Sequence, residues 1–495
     1  MPQLALEVFQ ACWLDDQALV VCEAQRVCAV SDAARAAGIQ LGMRRNTVLL
    51  LCAEAQLKER DWVREQAGLQ QLALTLLQYS PKVCFNPEYA HIVLVEVAAS
   101  LRLFAGLQRL YQRIKSDVRG LGFSAHFGIA PNANAACLFA LAQKKGRARR
   151  TLHLCLRPQR LAQHLDTLAL KLLPSAAAYL TWFAGIACRS LGELRALPRA
   201  GLQRRCGKAL VHALDLAYGE TCALHHYVSV ADEFDLRCEL PDRFDKADAI
   251  FYFARSLLLQ LCGWLSQKQL AVQHFSLSLE HERGRQALPA TVMHIHLAQA
   301  SWQEAHLSRL LKEHLAQLHL NAAVIALRLH AADLQAMQPM STSLFPEPSG
   351  SAEDQTRLIE LLVARLGAAQ VLQAAPQADH RPEVANHWIS VLEKHRITAD
   401  CSATQSPRPM WLLAQAIALP VHQHRPFYGS ALQLLSSAER IEAGWWQAQL
   451  VTRDYFIAQN QQHSRYWIYR ERIGHSQASQ SSQNEEVWYL HGVFG

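Results

Sequence analysis

The sequence has no C-x-x-C pair and no H-E-x-x-H, although it holds 13 Cys and 23 His in 495 residues. Single, odd-numbered, unpatterned cysteines exclude a zinc ribbon and a disulfide framework. They leave reduced thiols that act as small core residues. His225-His226 is an isolated pair without ligand spacing, so no metal and no cofactor is expected. No signal-peptide pattern and no apolar run long enough to span a bilayer is read, so a cytoplasmic, nucleoid-associated protein without a membrane partner is expected. Charge is also scarce: charged residues make up 18% and the net charge is +7, which permits a polyanionic partner without demanding one. With 51% hydrophobic residues the chain is globular, and its length calls for three or four cores.

What is present is clearest between Ala90 and Ala140. Ile92, Val93, Leu94, Val95 and Val97 predict a strand. Leu107, Leu110, Tyr111, Ile114 and Val118 share one helical face, ended by Gly120 and Gly122. Phe123, Ala125, Phe127 and Ile129 alternate with polar residues, predicting a second strand. After Pro131, Asn132 can cap a helix ending at Ala142. Upstream, residues 3–9, Val20–Cys22 and Val27–Val30 predict strands. Ser31-Asp32 starts a short helix that Gly38 stops, and 60–79 predicts one longer helix.

Ser100-Leu101-Arg102-Leu103-Phe104 followed by Phe127-Gly128-Ile129-Ala130-Pro131-Asn132 resembles the palm of Y-family translesion DNA polymerases. Ala33–Gly38 with Ile39, Gly42 and Met43 resembles their fingers. The resemblance implies two metal ions held by acids for phosphoryl transfer. Aligned on the family's strands, the metal-ligand positions fall on Leu4, Leu6, His91 and Ile92. Mg²⁺ needs oxygen ligands, and Leu and Ile offer none. In the fingers Arg35 matches the family's triphosphate-gripping Arg, whereas Asp32 stands where the family has Tyr. A working polymerase would need substitute acids, for which Glu7, Asp15, Asp16 and Glu96 are the candidates.

Residues 165–220 are helical in pattern. Gly185-Ile186, Ser190-Leu191-Gly192 and then Arg204-Arg205-Cys206-Gly207-Lys208 resemble a helix-hairpin-helix thumb. A glycine turn there lets N–H groups at a helix N-terminus approach phosphate, so Gly185, Arg204, Arg205, Gly207 and Lys208 are the expected DNA-binding residues. The basic run Lys144–Arg150 is either a solvated loop or a further phosphate contact. Between 233 and 330, alternation and helical stripes follow the order βαββαβ. This matches the family's little finger.

A Pro- and Ser-rich stretch follows, holding one apolar pair, Leu344-Phe345. It is either tucked against its own domain or a sliding-clamp-binding peptide. In the second case Ser341-Thr342-Ser343-Leu344-Phe345 is the motif, with Ser341 where the family has Gln. Leu358, Leu361, Leu362 and Leu366 predict an amphipathic helix. Aromatic residues then alternate in Trp445-Trp446, Tyr455-Phe456, Tyr466–Tyr469 and Trp488-Tyr489, predicting a β-meander. Its rings are either core or, in part, a partner surface. Ser476–Asn484 within it is a flexible loop by composition.

This last block, with Ser100–Phe104 and His380-Arg381-Pro382-Glu383, resembles the ImuB family, polymerase-like subunits of bacterial ImuA–ImuB mutagenesis cassettes. The resemblance implies an α/β multidomain chain: palm strand 1–10, fingers 11–75, palm 76–164, thumb 165–228, little finger 229–332, linker with clamp peptide 333–354, and a mainly-β C-terminal region 355–495. It implies a non-catalytic scaffold in SOS-induced, error-prone translesion synthesis. The implied partners are DNA bound without sequence preference, the sliding clamp, ImuA and an error-prone C-family DNA polymerase. A general DNA-binding protein is the third reading of the same residues.

Overall fold

A single helical turn, α1 (Leu4–Glu7), stands where the sequence predicts a strand. Residues i and i+2 share one face of a strand but lie about 200° apart on a helix. Here Leu4 enters a core with Leu69, Leu72 and Ala73, while Leu6 enters a separate one with Leu19 and Val21. Two apolar clusters on opposite sides favour the helix. The computed structural model describes residues 1–12, 17–143, 153–282, 289–320, 322–337, 352–377, 379–391, 393, 407–447, 450–472 and 487–494. Asp15, Asp16, Lys144–Arg150, the clamp motif Ser341–Phe345 and Ser476–Asn484 lie outside these residues. The chain divides into two units, Met1–Leu361 and Leu362–Gly495.

In the first unit β1 (Leu19–Glu23) pairs antiparallel with β2 (Arg26–Val30) and parallel with β3 (Gln56–Glu59). Helix α2 (Asp32–Ala36) is capped by Ser31 Oγ, which accepts from the Ala34 N–H at 3.1 Å. With α3 (Arg45–Leu51) it closes a small core around Val20, Val27, Ala34, Ile39 and Val48. Helix α4 (Trp62–Leu76) is capped by Asp61, whose carboxylate accepts from the Val63 and Arg64 N–H groups, both at 3.0 Å.

The two strands predicted between 92 and 129 are shorter than their alternation suggests. β4 (Val83–Phe85) pairs with β5 (Val93–Val95), and β6 (Gly128–Ile129) with β7 (His153–Leu154). Residues 123–127 join no sheet. The Ser124 N–H donates to the Glu7 carboxylate at 2.9 Å and the Phe127 N–H to the Gln143 side chain at 3.2 Å. Backbone donors satisfied by side chains need no neighbouring strand. Helix α5 (Leu107–Gly120) and helix α6 (Ala133–Ala142) form where their patterns place them. Asn132 Oδ1 caps α6 by accepting from the Ala135 N–H at 2.8 Å.

Helices α7 (Pro158–Asp166), α8 (Leu180–Gly185), α9 (Leu191–Ala196) and α10 (Arg199–Tyr218) enclose Leu165, Phe183, Leu191, Leu194 and Leu210. Then β8 (Asp235–Phe244), α11 (Ala247–Lys268), β9 (Leu270–His281), β10 (Thr291–Ser301), α12 (Glu304–Gln317) and β11 (Val324–Ala336) give the βαββαβ order. The sheet order is β10-β9-β11-β8, antiparallel throughout. Helices α11 and α12 cover one face, where Phe275, Leu277, Leu279, Ile295, Leu327 and Leu329 are fully buried.

Contrary to the sequence expectation, α11 is long and apolar enough to cross a membrane. Two-thirds of its apolar window is buried, 67%, so it serves as the core helix of this unit. It approaches α4 so closely that a Cβ on Gly263 would lie 1.8 Å from the Leu74 carbonyl oxygen.

Helix α13 (Ala352–Leu366) inverts its predicted face. Leu358, Leu362 and Leu366 are exposed and Glu360 is buried, because Glu360 accepts from the Ala298 N–H at 2.5 Å and faces His306 Nε2 at 2.8 Å.

The second unit is β-rich. β12 (Leu372–Pro376) pairs with β13 (Asn386–Ser390). β14 (Trp411–Leu419) heads a six-stranded sheet, and the short strands β15 (Val421–His422), β16 (Arg425–Tyr428) and β17 (Ser430–Ala431) form a side ribbon. The main sheet continues through β22 (Trp488–Val493), β21 (Arg465–Glu471) and β20 (Val451–Gln459), which carries both β18 (Gln433–Leu434) and β19 (Glu439–Ala443) on its outer edge. Tyr455, Trp467 and Ile468 are buried in it, whereas Trp411, Trp445 and Trp446 are exposed. Part of the aromatic block is therefore core and part of it is exposed.

Gly263→Ala should destabilise the protein by about 2 kcal/mol through overpacking at the α4–α11 crossing. The check is chemical denaturation of wild type and variant.

Candidate functional site

The four positions aligned with family metal ligands do not form an oxygen-rich cleft. Leu4 and Leu6 are 1% and 6% exposed in two different cores. Ile92 is half-buried, its N–H donating to the Tyr89 carbonyl at 3.2 Å. His91 is the one polar side chain of the four; Arg60 lies 3.3 Å from its Nε2 and the Glu65 carboxylate, itself held by Arg60, 3.6 Å from it. This donor set does not fit Mg²⁺, and no step through a metal follows from it. Among the described residues no three His, Cys, Asp or Glu side chains are grouped to hold a metal.

The sequence reading missed what occupies this place instead. Glu65, on the first turn of α4, is 1% exposed. Arg60 holds it in a fork, Nε to Oε1 at 2.7 Å and Nη2 to Oε2 at 3.0 Å, and reaches Glu23 at 3.0 Å. The Arg60 guanidinium also lies 3.5 Å over the Trp62 ring, and Trp62 stacks on His91 at 6.3 Å. The hydrogen bonds that Arg60 donates to Glu65 raise its pKa further above its ordinary value. Burial pushes the His91 imidazole below its ordinary 6.5, with Glu65 opposing at 3.6 Å. The sequence reading carries one helix over 60–79, with Arg60 inside it, and gives no sign of this fork. The pairing of Arg60 with Glu65 across the α4 start has no motif.

Of the candidate substitute acids, the two among the described residues, Glu7 and Glu96, are separately engaged. Glu7 is buried and accepts from the Ser124 N–H and hydroxyl. Glu96 is exposed, accepts from the Ala98 N–H at 2.8 Å, and faces Lys82 at 3.8 Å. In the fingers-like segment Arg35 is paired with Asp32, the residue at the family's Tyr position.

The helix-hairpin-helix residues are brought to one surface in part. Gly207 has φ +82 and ψ 170, so α10 breaks and restarts at Lys208. Nothing lies within 4 Å of a Cβ built there, so only the backbone angle requires glycine. A restarted helix exposes N–H groups without intrahelical acceptors. Arg204, Arg205, Gly207 and Lys208 are all exposed around the break, with Leu202, Cys206 and Leu210 buried beneath. Arg205 lies 5.6 Å over Trp182 of α8, so α8 borders this surface. Gly185 ends α8 and is exposed, but the left-handed residue of that turn is Ala187, φ +58. The turn therefore does not depend on Gly185.

Glu65→Gln should cost about 3 kcal/mol, because Arg60 then keeps a buried charge without its main partner, while Arg60→Met/Glu65→Leu should cost less. Denaturation of the three proteins checks this. His91 binds protons more weakly folded than unfolded, so its contribution to stability is lost as pH falls below 6.5. His91→Gln should lose less stability than wild type over that range in a pH series of thermal unfolding.

Residues 6–140 match the family model described as IMS, impB/mucB/samB family. Protein ImuB of Caulobacter vibrioides strain NA1000 / CB15N is 24% identical over 481 residues, covering 92% of this chain and all of that protein. Protein ImuB of strain ATCC 19089 / CIP 103742 / CB 15 of the same species matches equally. The chain is thus ImuB-like along nearly its whole length, as read from the sequence. Among solved structures it is similar to the insertion ternary complex of Dbh DNA polymerase (14% identity, 68% of this chain, 97% of that chain, TM-score 0.36). It is also similar to DinB from Sulfolobus solfataricus (15% identity, 65% of this chain, 93% of that chain, TM-score 0.34).

Proposed function

We propose that this ImuB-like chain is a non-catalytic scaffold of a mutasome for error-prone translesion synthesis. It holds DNA, the sliding clamp, ImuA and an error-prone C-family polymerase that carries out the synthesis. The observation that carries the reading is the chemistry at the four aligned positions: two leucines in separate cores, an isoleucine, and a histidine beside a guanidinium. Phosphoryl transfer by two metals needs several convergent oxygens, and an arginine fork occupies the buried carboxylate nearest His91.

DNA holding is assigned to the exposed break in α10. Phosphate contacts by backbone N–H groups, Arg204 and Lys208 carry no sequence information and depend on salt. Clamp binding is assigned to Leu344 and Phe345 as apolar anchors of an extended peptide. The exposed tryptophans of the second unit support a protein-docking role for it, since Trp dominates interface hot spots.

Primer extension with Mg²⁺ or Mn²⁺ should give no template-dependent incorporation, and incorporation would overturn the scaffold reading. Arg204→Ala/Lys208→Ala should weaken duplex binding equally for unrelated sequences and flatten the salt dependence by about two units of slope. A sequence-selective loss contradicts it. Leu344→Ala/Phe345→Ala should abolish capture by the sliding clamp, and retained capture removes that assignment.

A further inference from the structure

Three guanidinium groups converge on one buried carboxylate in the main sheet of the second unit. Asp454, on β20, is 1% exposed. Strand register sets Arg440 of β19 opposite it on one side and Arg470 of β21 on the other. Arg440 Nε donates to Asp454 Oδ1 at 3.0 Å, and Arg470 Nη2 reaches Oδ2 at 3.5 Å. Arg472 follows β21. Its N–H donates to the Thr452 carbonyl at 3.1 Å, its Nε lies 3.9 Å from Asp454 Oδ2, and its Nη1 donates to Glu442 at 2.9 Å. The side chains of Arg440, Arg470 and Arg472 are 55%, 33% and 40% exposed, so the cluster opens to solvent.

Neutralising Asp454 needs one arginine, and the sheet supplies three. Glu442 offsets one more, which leaves a positive surplus on this face. Glu439 and Glu471 do not cancel it, because strand alternation turns them to the opposite face, where Glu439 takes Arg408. Guanidinium keeps its charge at any working pH. Asp454 acts as the organiser: its fixed oxygens hold long, rotamer-rich side chains in one arrangement before anything binds. Arg470 also lies 5.8 Å over the Trp488 ring, which belongs to the core of the sheet.

A second feature stands at the same end of the sheet. β19 runs from Arg440 past Glu442 into the turn Trp445–Gln447. Trp445 and Trp446 are 74% and 53% exposed, with ring centroids 5.3 Å apart at 84°. Trp445 is three residues beyond Glu442, so their Cα atoms are within about 11 Å of each other.

We propose that Arg440, Arg470 and Arg472 form a phosphodiester-binding site for single-stranded nucleic acid, with the Trp445-Trp446 pair stacking on bases beside it. The inference rests on the DNA-holding reading and deepens it, giving the second unit its own contact for an unpaired strand. It leaves Trp388 and Trp411 to protein docking. Three planar donors converging from three directions suit the tetrahedral phosphate, whereas one fork already satisfies the flat carboxylate of an acidic peptide. A ring beside phosphate donors recognises a base whose face is open, and the stacked interior of a duplex offers none.

The experiment is anisotropy of a labelled oligo(dT) strand, and of an abasic strand of the same length, titrated with the full chain. Wild type should bind oligo(dT) about tenfold more tightly than the abasic strand. Trp445→Ala/Trp446→Ala, an exposed change that leaves the arginines in place, should remove that difference. Arg440→Gln/Arg472→Gln, which keeps Arg470 beside Asp454, should weaken both strands about tenfold and flatten the salt dependence by about 1.4 units of slope. Arg440→Lys/Arg472→Lys keeps the charge without the fork, so it should restore the slope and only part of the affinity.

Equal binding of the two strands by wild type, unchanged binding in the glutamine variant, or a loss there that lysine leaves unrelieved overturns the inference. Displacement of the strand by poly-glutamate as effectively as by unlabelled oligo(dT) also overturns it and reassigns the cluster to an acidic peptide. Each of these leaves the contact at the α10 break standing. No nucleic-acid binding by wild type overturns both.

Discussion

A carboxylate with almost no solvent exposure must be compensated by a cation at hydrogen-bond distance, and Glu65 is such a carboxylate. Arg60 supplies the cation and ties three elements together in doing so. It follows β3, forks the first turn of α4, and reaches Glu23 on β1. The Trp62 ring beneath the guanidinium and the His91 imidazole beyond it complete a layer of cation, ring and ring. Mobile divalent ions can neutralise acids transiently, whereas a side-chain cation is permanent. The junction from which α4 departs is thus held by charge that never leaves the protein.

The surface proposed for DNA has a different physical character from that junction. At the break in α10 the backbone itself is the feature: one positive-φ glycine creates a second helix start amid exposed Arg204, Arg205 and Lys208.

Much of this was legible in the sequence where local pattern and tertiary role agree. The alternation of Phe275, Leu277 and Leu279 gave a strand because one face meets helices, and Asn132 and Ser31 capped helices because their side chains reach the local N–H groups. Pattern failed where tertiary partners override it. Leu4-Ala5-Leu6 is compatible with strand or helix, and two separate cores decided for helix. Phe123–Phe127 alternates like a strand, yet the Glu7 and Gln143 side chains took N–H groups a sheet would have used. The leucine stripe of α13 pointed outward because His306 and the Ala298 N–H draw Glu360 inward. The Arg60–Glu65 fork joins a loop residue to a helix residue, a relation that carries no periodicity.

The close crossing of α11 over α4 bears on how parts of the first unit are joined. With the Leu74 carbonyl pressed against Gly263, and the Tyr252 hydroxyl donating to the Gly120 carbonyl at 2.9 Å, the βαββαβ module is bolted to the helices that precede it. Through these contacts a displacement of α11 is transmitted to α4 and to the end of α5.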